Sequence, residues 1–217
     1  MIARNRSLFA PWLAATLAFT LVGVGAASGA SAQPRPQGAS AFLEGRHEEV
    51  NRLLRQPAND DAARQRRSER LTRMLSDLLD YQELSRRALG DQWTQRSEAE
   101  RQQFVTLLRQ LVERNYETNL ERTLEYEVTY DRESRRGELT VVHTTARSRT
   151  QRRQPPVAID YVMRSADGSW RVVDVSTDGV SMVDNYRSQF SRIISREGWN
   201  ELIARMQRRL AQGASDT

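Results

Sequence analysis

The chain has 217 residues, of which 38% are hydrophobic and 28% charged, and a formal net charge of +5. That suits one domain with a core of its own. Cysteine is absent, which excludes a disulfide framework, a cysteine nucleophile, a thiolate metal site and a lipid-modified cysteine at a mature N-terminus.

At the N-terminus, Arg4 and Arg6 form a short basic region, an apolar stretch runs from Leu8 to Ala26, and Ala30-Ser31-Ala32 fits a small-residue cleavage site. This order predicts a cleaved signal peptide over 1–32, Gln33 as the first mature residue, and a periplasmic location in a Gram-negative bacterium. Pro11, Gly23 and Gly25 argue against an uncleaved membrane anchor. Loss of Arg4 and Arg6 lowers the formal charge from +5 to +3. All 33 basic side chains are arginine and interleave with 28 acidic ones, so no nucleic-acid partner is indicated. Such a mild charge favours transient contact with an anionic membrane surface, screened within about 8 Å at physiological salt.

Residues 33–41 (QPRPQGASA) lack a periodic pattern and are expected to be disordered, as is a tail over 212–217; 42–211 form the domain. Phe42, Val50, Leu53 and Leu54 predict a short helix closed near Pro57. Leu71, Met74, Leu75, Leu78 and Leu79 recur with the period of an amphipathic helix. Asp80 with Glu83 reads as a capping box. It opens a helix with Leu84, Ala88 and Leu89 inward and Gly90 as its stop. Ser97 with Glu100 is a second box, starting a helix over about 98–122 with Phe104, Leu107, Leu108, Leu111, Val112 and Tyr116 on its apolar stripe.

From Glu125 the period falls to two, with Tyr126, Val128 and Tyr130 on one side. Gly137 ends a charged turn, and further strands are expected at 138–147, 157–164 and 170–176. Pro155-Pro156 makes 148–156 a loop. Asp167-Gly168 marks a tight hairpin, which puts Ile159, Tyr161 and Met163 on one face with Trp170 and Val172. That face is inward, because Arg164 and Arg171 fall on the other. Ser181, with Asp184 as capping partner, opens a helix to Gly198 with Met182, Val183, Tyr186, Phe190, Ile193 and Ile194 on its stripe. A last helix carries Trp199, Leu202, Ile203, Met206 and Leu210. Helices, an antiparallel meander and more helices make an α+β fold: a twisted sheet of about four strands against several helices, with an apolar cavity between the layers.

Little chemistry is visible. His47 and His143 stand far apart without metal-ligand spacing, and no nucleophile elbow, Walker loop or dinucleotide fingerprint occurs. No catalytic residue, metal or cofactor is assigned. His143 alternates with Leu139 and Val141 and reads as a satisfied or edge histidine. Asp174 has two readings. It is a general base facing an apolar cavity beside Tyr161 or Ile159, or a strand-end carboxylate that bonds the backbone of the 176–181 turn; the second is preferred. The arginine runs at 64–70 and 147–153 read as solvated faces, with docking as the alternative.

The segment WRVVDVSTDGVSMVDNYRSQF at 170–190 resembles the MlaC family of periplasmic phospholipid-binding proteins, also called the toluene-tolerance auxiliary family. The likeness continues through Ile193, Ile194, Gly198, Leu202 and Leu210, and upstream through Leu89-Gly90, Trp93, Phe104, Leu108 and Tyr116. It covers about 70–210; the 42–56 helix and the arginine-rich hairpin are only loosely similar. The resemblance implies a soluble carrier, expected to be a monomer. It would move phospholipid between an outer-membrane lipoprotein complex and an inner-membrane ABC transporter complex, with acyl chains between sheet and helices and head groups near the mouth. On that footing Met182, Tyr186, Phe190 and Ile194 form one wall and Tyr161 and Val172 the floor. Phe104, Leu108, Leu111 and Tyr116, with Leu75 and Leu79, close the other side. A branch of the family associated with hopanoid biosynthesis leaves the lipid class open. Two further classes stand beside this one: a cone-fold enzyme using Asp174 with Tyr161 or His143, and an interaction module whose groove takes a peptide. The lack of a second acid or base beside Asp174 weighs against the enzyme.

Overall fold

The computed structural model describes residues 38–119, 124–151, 153–166 and 168–212. The expected signal peptide, Asp167 of the expected hairpin and the end of the C-terminal tail lie outside the described residues. Four helices come first: α1 (Ala39–Arg55), α2 (Asp61–Leu78), α3 (Tyr81–Leu89) and α4 (Glu98–Asn119). Five strands follow: β1 (Tyr126–Arg136), β2 (Leu139–Ser148), β3 (Val157–Ala166), β4 (Ser169–Thr177) and β5 (Val180–Ser181). Helices α5 (Met182–Glu197) and α6 (Trp199–Gln212) close the domain. This is the expected α+β order, with a short fifth strand where the sequence suggested only a turn.

The helix ends follow local chemistry. The Asp80 carboxylate accepts the Glu83 N–H at 2.9 Å, and the Ser181 hydroxyl accepts the Asp184 N–H at 3.0 Å. Ser97 and Glu100 satisfy each other's backbone N–H, at 2.8 and 3.3 Å. Each cap satisfies a donor that the first helical turn leaves open, a contribution of about 1 kcal/mol. Gly90 ends α3 at φ +54°, where a side chain would be strained.

Two boundaries differ from expectation. Helix α1 starts at Ala39, inside the segment expected to be disordered, because Ala39 and Leu43 are both wholly buried. Its cap Gly38 has no side chain to offer; Glu133 of β1 accepts the Ser40 N–H at 2.6 Å instead. Helix α2 ends at Leu78, so Leu79 is not its last apolar residue. Leu79 is extended and bridges in parallel to Val172, and the Asp80 N–H donates to the Val172 carbonyl at 3.0 Å.

The sheet is antiparallel in the order β1-β2-β3-β4-β5. Ala166 pairs with Ser169 and Met163 with Val172, which puts Val172 on the face expected of it. The next pair is Val162 with Asp174, so Val173 is an inserted residue. A second bulge sets Asp131 outside the β1–β2 register. The inner face carries Val142, Ile159, Tyr161, Met163 and Val172, packed with Leu43 of α1 and Leu78 of α2. On the outer face Val141, Val162 and Val173 form a small cluster of their own. Helix α1 packs on β1 and β2, while α2, α3 and α5 pack on β4.

Candidate functional site

The apolar interior has two main parts. The sheet cluster is the inner face just described. The helical cluster is drawn from α2 to α6 and centres on Phe104, wholly buried, with Phe190 edge-on at 5.5 Å and Trp199 tilted at 5.9 Å. Leu79 packs against both clusters, at the point where the chain passes from α2 to α3. A third, smaller cluster joins α1 to α2 through Val50, Leu54, Leu71 and Met74.

The sequence-predicted residues divide accordingly. Leu75, Phe104, Leu108 and Phe190 are buried in the helical cluster, and Leu111, Tyr116, Tyr186 and Ile194 pack half-buried against it. Tyr186 stacks on Phe190 at 5.5 Å. Tyr161 and Val172 lie in the sheet cluster. Met182 is half-buried and joins none of the clusters; Val183 takes the inward position beside it. The expected floor residues and, Met182 apart, the expected wall residues therefore lie in different clusters, which meet at Leu79.

One polar group in this interior escaped the sequence reading. His47 and Asn51 lie one turn apart on α1, 1% and 4% exposed. The His47 ring is bonded through Nδ1 to the Tyr130 hydroxyl and stands edge-on to Tyr161 at 5.7 Å. Burial drives the His47 pKa down to about 3 and pushes the phenols of Tyr130, Tyr161 and Tyr116 well above their ordinary range. All four groups are therefore uncharged at neutral pH. The only hint in the sequence is the spacing, since His47 and Asn51 continue the stripe of Leu43, Val50 and Leu54.

The groups singled out for chemistry are engaged elsewhere. The bulge moves Asp174 opposite Val162, and Tyr161 pairs with Val175, so the expected Asp174–Tyr161 neighbourhood is not formed. Asp174 instead accepts the Ser181 hydroxyl at 2.6 Å and the Val183 N–H at 3.1 Å, holding the start of α5. His143 bonds Ser134 through Nε2 and Asp160 through Nδ1, both at 2.8 Å. That is the bonding order of a nucleophilic triad. However, Ser134 sits in regular strand register, and all three side chains project from the face that carries Val141, away from the interior. Their evident role is to tie β1, β2 and β3 together. In the arginine run of α2, Arg64 bonds Asp61 and Arg70 bonds Glu49. Among the described residues no group of three or more His, Asp or Glu could hold a metal ion.

Helices and an antiparallel sheet around a divided apolar interior make an α+β domain of the kind that offers apolar surface between its layers. The chain belongs to the MlaC family: the family model described as MlaC protein matches residues 45–208. The chain is 23% identical over 142 residues to the intermembrane phospholipid transport system binding protein MlaC of Haemophilus influenzae. That alignment covers 63% of this chain and 66% of the relative, just under two thirds of its length. Among solved structures, the fold matches a phospholipid-binding protein from Ralstonia solanacearum in complex with a phospholipid. There the TM-score is 0.65 and the identity 23%, over 81% of this chain and 98% of the other.

Proposed function

We propose that this protein is a periplasmic phospholipid carrier. It holds acyl chains between the inner face of the sheet and the helical cluster, and passes lipid between an outer-membrane lipoprotein complex and an inner-membrane ABC transporter complex. The observation that carries the reading is the divided interior: Tyr161 and Val172 on one side and Phe104, Leu108 and Phe190 on the other, joined at Leu79. Family membership supports it, as do a relative named for intermembrane phospholipid transport and a similar fold solved with phospholipid bound.

The physical requirement matches. Exposing an acyl chain costs about 0.8 kcal/mol per CH₂, so a two-chain lipid with roughly 30 such groups faces on the order of 20 kcal/mol in bare water. A dry interior removes most of that barrier without catalysis. Mass spectrometry of an organic extract of the purified protein tests the reading. Stoichiometric two-chain phospholipid is the expected result, and an extract free of lipid refutes it.

A further inference from the structure

Buried polar groups in proteins are almost always hydrogen-bonded. Here four buried atoms on neighbouring elements find no hydrogen-bond partner among the described residues: His47 Nε2, Asn51 Nδ2, Asn51 Oδ1 and the Tyr161 hydroxyl oxygen. They come from α1 and β3. His47 is held against Tyr130 of β1 and the edge of Tyr161, and Asn51 follows one turn along the same buried face of α1. Tyr116 of α4 packs, half-buried, against the α1–α2 cluster that adjoins them. The surroundings are apolar. Leu43 on one side belongs to the sheet cluster, and Val50 and Leu54 on the other belong to the α1–α2 cluster. Tyr161 is itself on the floor of the proposed lipid site.

We propose that His47, Asn51 and Tyr161 form an internal anchor for an uncharged hydrogen-bonding group of the bound lipid, either an ester carbonyl or a hydroxyl on the acyl chain. This rests on the phospholipid-carrier reading above. The donor and acceptor inventory fits. Tyr161 O–H and Asn51 Nδ2 donate to a carbonyl, and Asn51 Oδ1 also accepts from a hydroxyl. His47 Nε2 takes whichever role its bond to Tyr130 leaves it. An anionic group is disfavoured, because His47, Asn51 and Tyr161 are deeply buried and a charge buried without a charged partner is costly. The phosphate of a phospholipid therefore lies elsewhere, and the anchor reads the neutral part of the molecule.

The test is competitive loading of the full mature chain, stripped of co-purified lipid, from mixed vesicles, with bound lipid counted by mass spectrometry. The three probes are dioleoyl phosphatidylglycerol, its diether analogue without ester carbonyls, and a phosphatidylglycerol with 12-hydroxystearoyl chains. The wild-type protein should prefer one polar form by about tenfold, the scale of one or two hydrogen bonds made in a dry site. Preference for ester over ether assigns the carbonyl; preference for hydroxylated over plain chains assigns the hydroxyl. Tyr161→Phe and Asn51→Leu should each bring the ratio to within about twofold of unity. Equal loading of all three lipids by wild type overturns the proposal even if a variant does not fold, as does a preference that both variants retain. Wild-type protein that loads none of the three overturns the carrier reading and this inference together.

Discussion

Replacing Asp174 separates a structural carboxylate from a catalytic one. Its Oδ1 accepts the N–H of Val175 at 2.8 Å and of Val183 at 3.1 Å, and its Oδ2 accepts the Ser181 hydroxyl at 2.6 Å. Ser181 in turn caps Asp184. Asp174→Ala removes all three bonds and leaves the Val183 N–H, one of the open donors at the start of α5, without its partner. Hydrogen bonds to a charged group contribute about 1.5–3 kcal/mol each when buried. Asp174 is only half-buried, so solvent recovers part of that, and a total loss of about 2–4 kcal/mol is expected. Asp174→Asn keeps one oxygen for the two N–H groups, and the Ser181 hydroxyl can turn to accept from the amide. Its cost should be nearer 1 kcal/mol, or about 2–4 °C in melting temperature for a chain of this size. Urea unfolding measures both variants; the midpoint should shift while the slope stays constant. Bound lipid should be unchanged. The reasoning is refuted if Asp174→Ala is as stable as wild type, or if a well-folded Asp174→Asn loses a catalytic turnover that wild type shows.

Val172, 1% exposed and facing the helices, should behave differently: Val172→Trp is expected to lower lipid occupancy more than melting temperature. Outright unfolding would place Val172 in ordinary packed core, where overpacking costs about 1–3 kcal/mol. His47 predicts a dependence on pH. Its folded pKa is lowered from 6.5 to about 3, so between those values the unfolded chain binds a proton that the folded protein does not. Stability should therefore be unaffected by this group above pH 6.5 and fall below it, by up to about 1.4 kcal/mol per pH unit and about 2 kcal/mol by pH 5. Denaturant titrations at several pH values measure the slope, and His47→Gln should flatten it. Cleavage of the leader is checked by intact mass of protein recovered from the periplasm, which should begin at Gln33.

What the sequence made legible was local. Asp80, Ser97 and Ser181 each stand three residues before an acidic residue and cap its N–H, so three helix starts could be placed from residue type alone, though only Ser97/Glu100 closes the reciprocal box. The apolar stripes of α4 and α5 were equally plain, because burial recurs there with the helical period; only Met182 lacks a place among the apolar clusters, where Val183 fills the inward position. The bulge at Val173 was not visible. Two adjacent valines fit an unbroken alternation as well as a bulged one, and the decision is made by Val141 and Val162, which bury Val173 on the outer face. One inserted residue was enough to move Asp174 away from Tyr161.

The same contrast explains why His47 and the joints between the layers went unread. His47 meets Tyr130 across 83 positions, and its polarity in an apolar stripe acquires meaning only when β1 and β3 arrive above it. Asp80 was identified as a helix cap, yet its backbone also bonds Val172, and its carboxylate bonds Arg164, 84 positions on. Arg171, which alternation marks as merely outward, reaches the Asp77 carbonyl at the end of α2. With Asp174 holding α5, these contacts fix both α2 and α5 to the single strand β4. Short-range periodicity recognises each participant by its burial or its capping chemistry. It does not report partners about ninety positions away, and it is those partners that set how the helical cluster lies over the sheet.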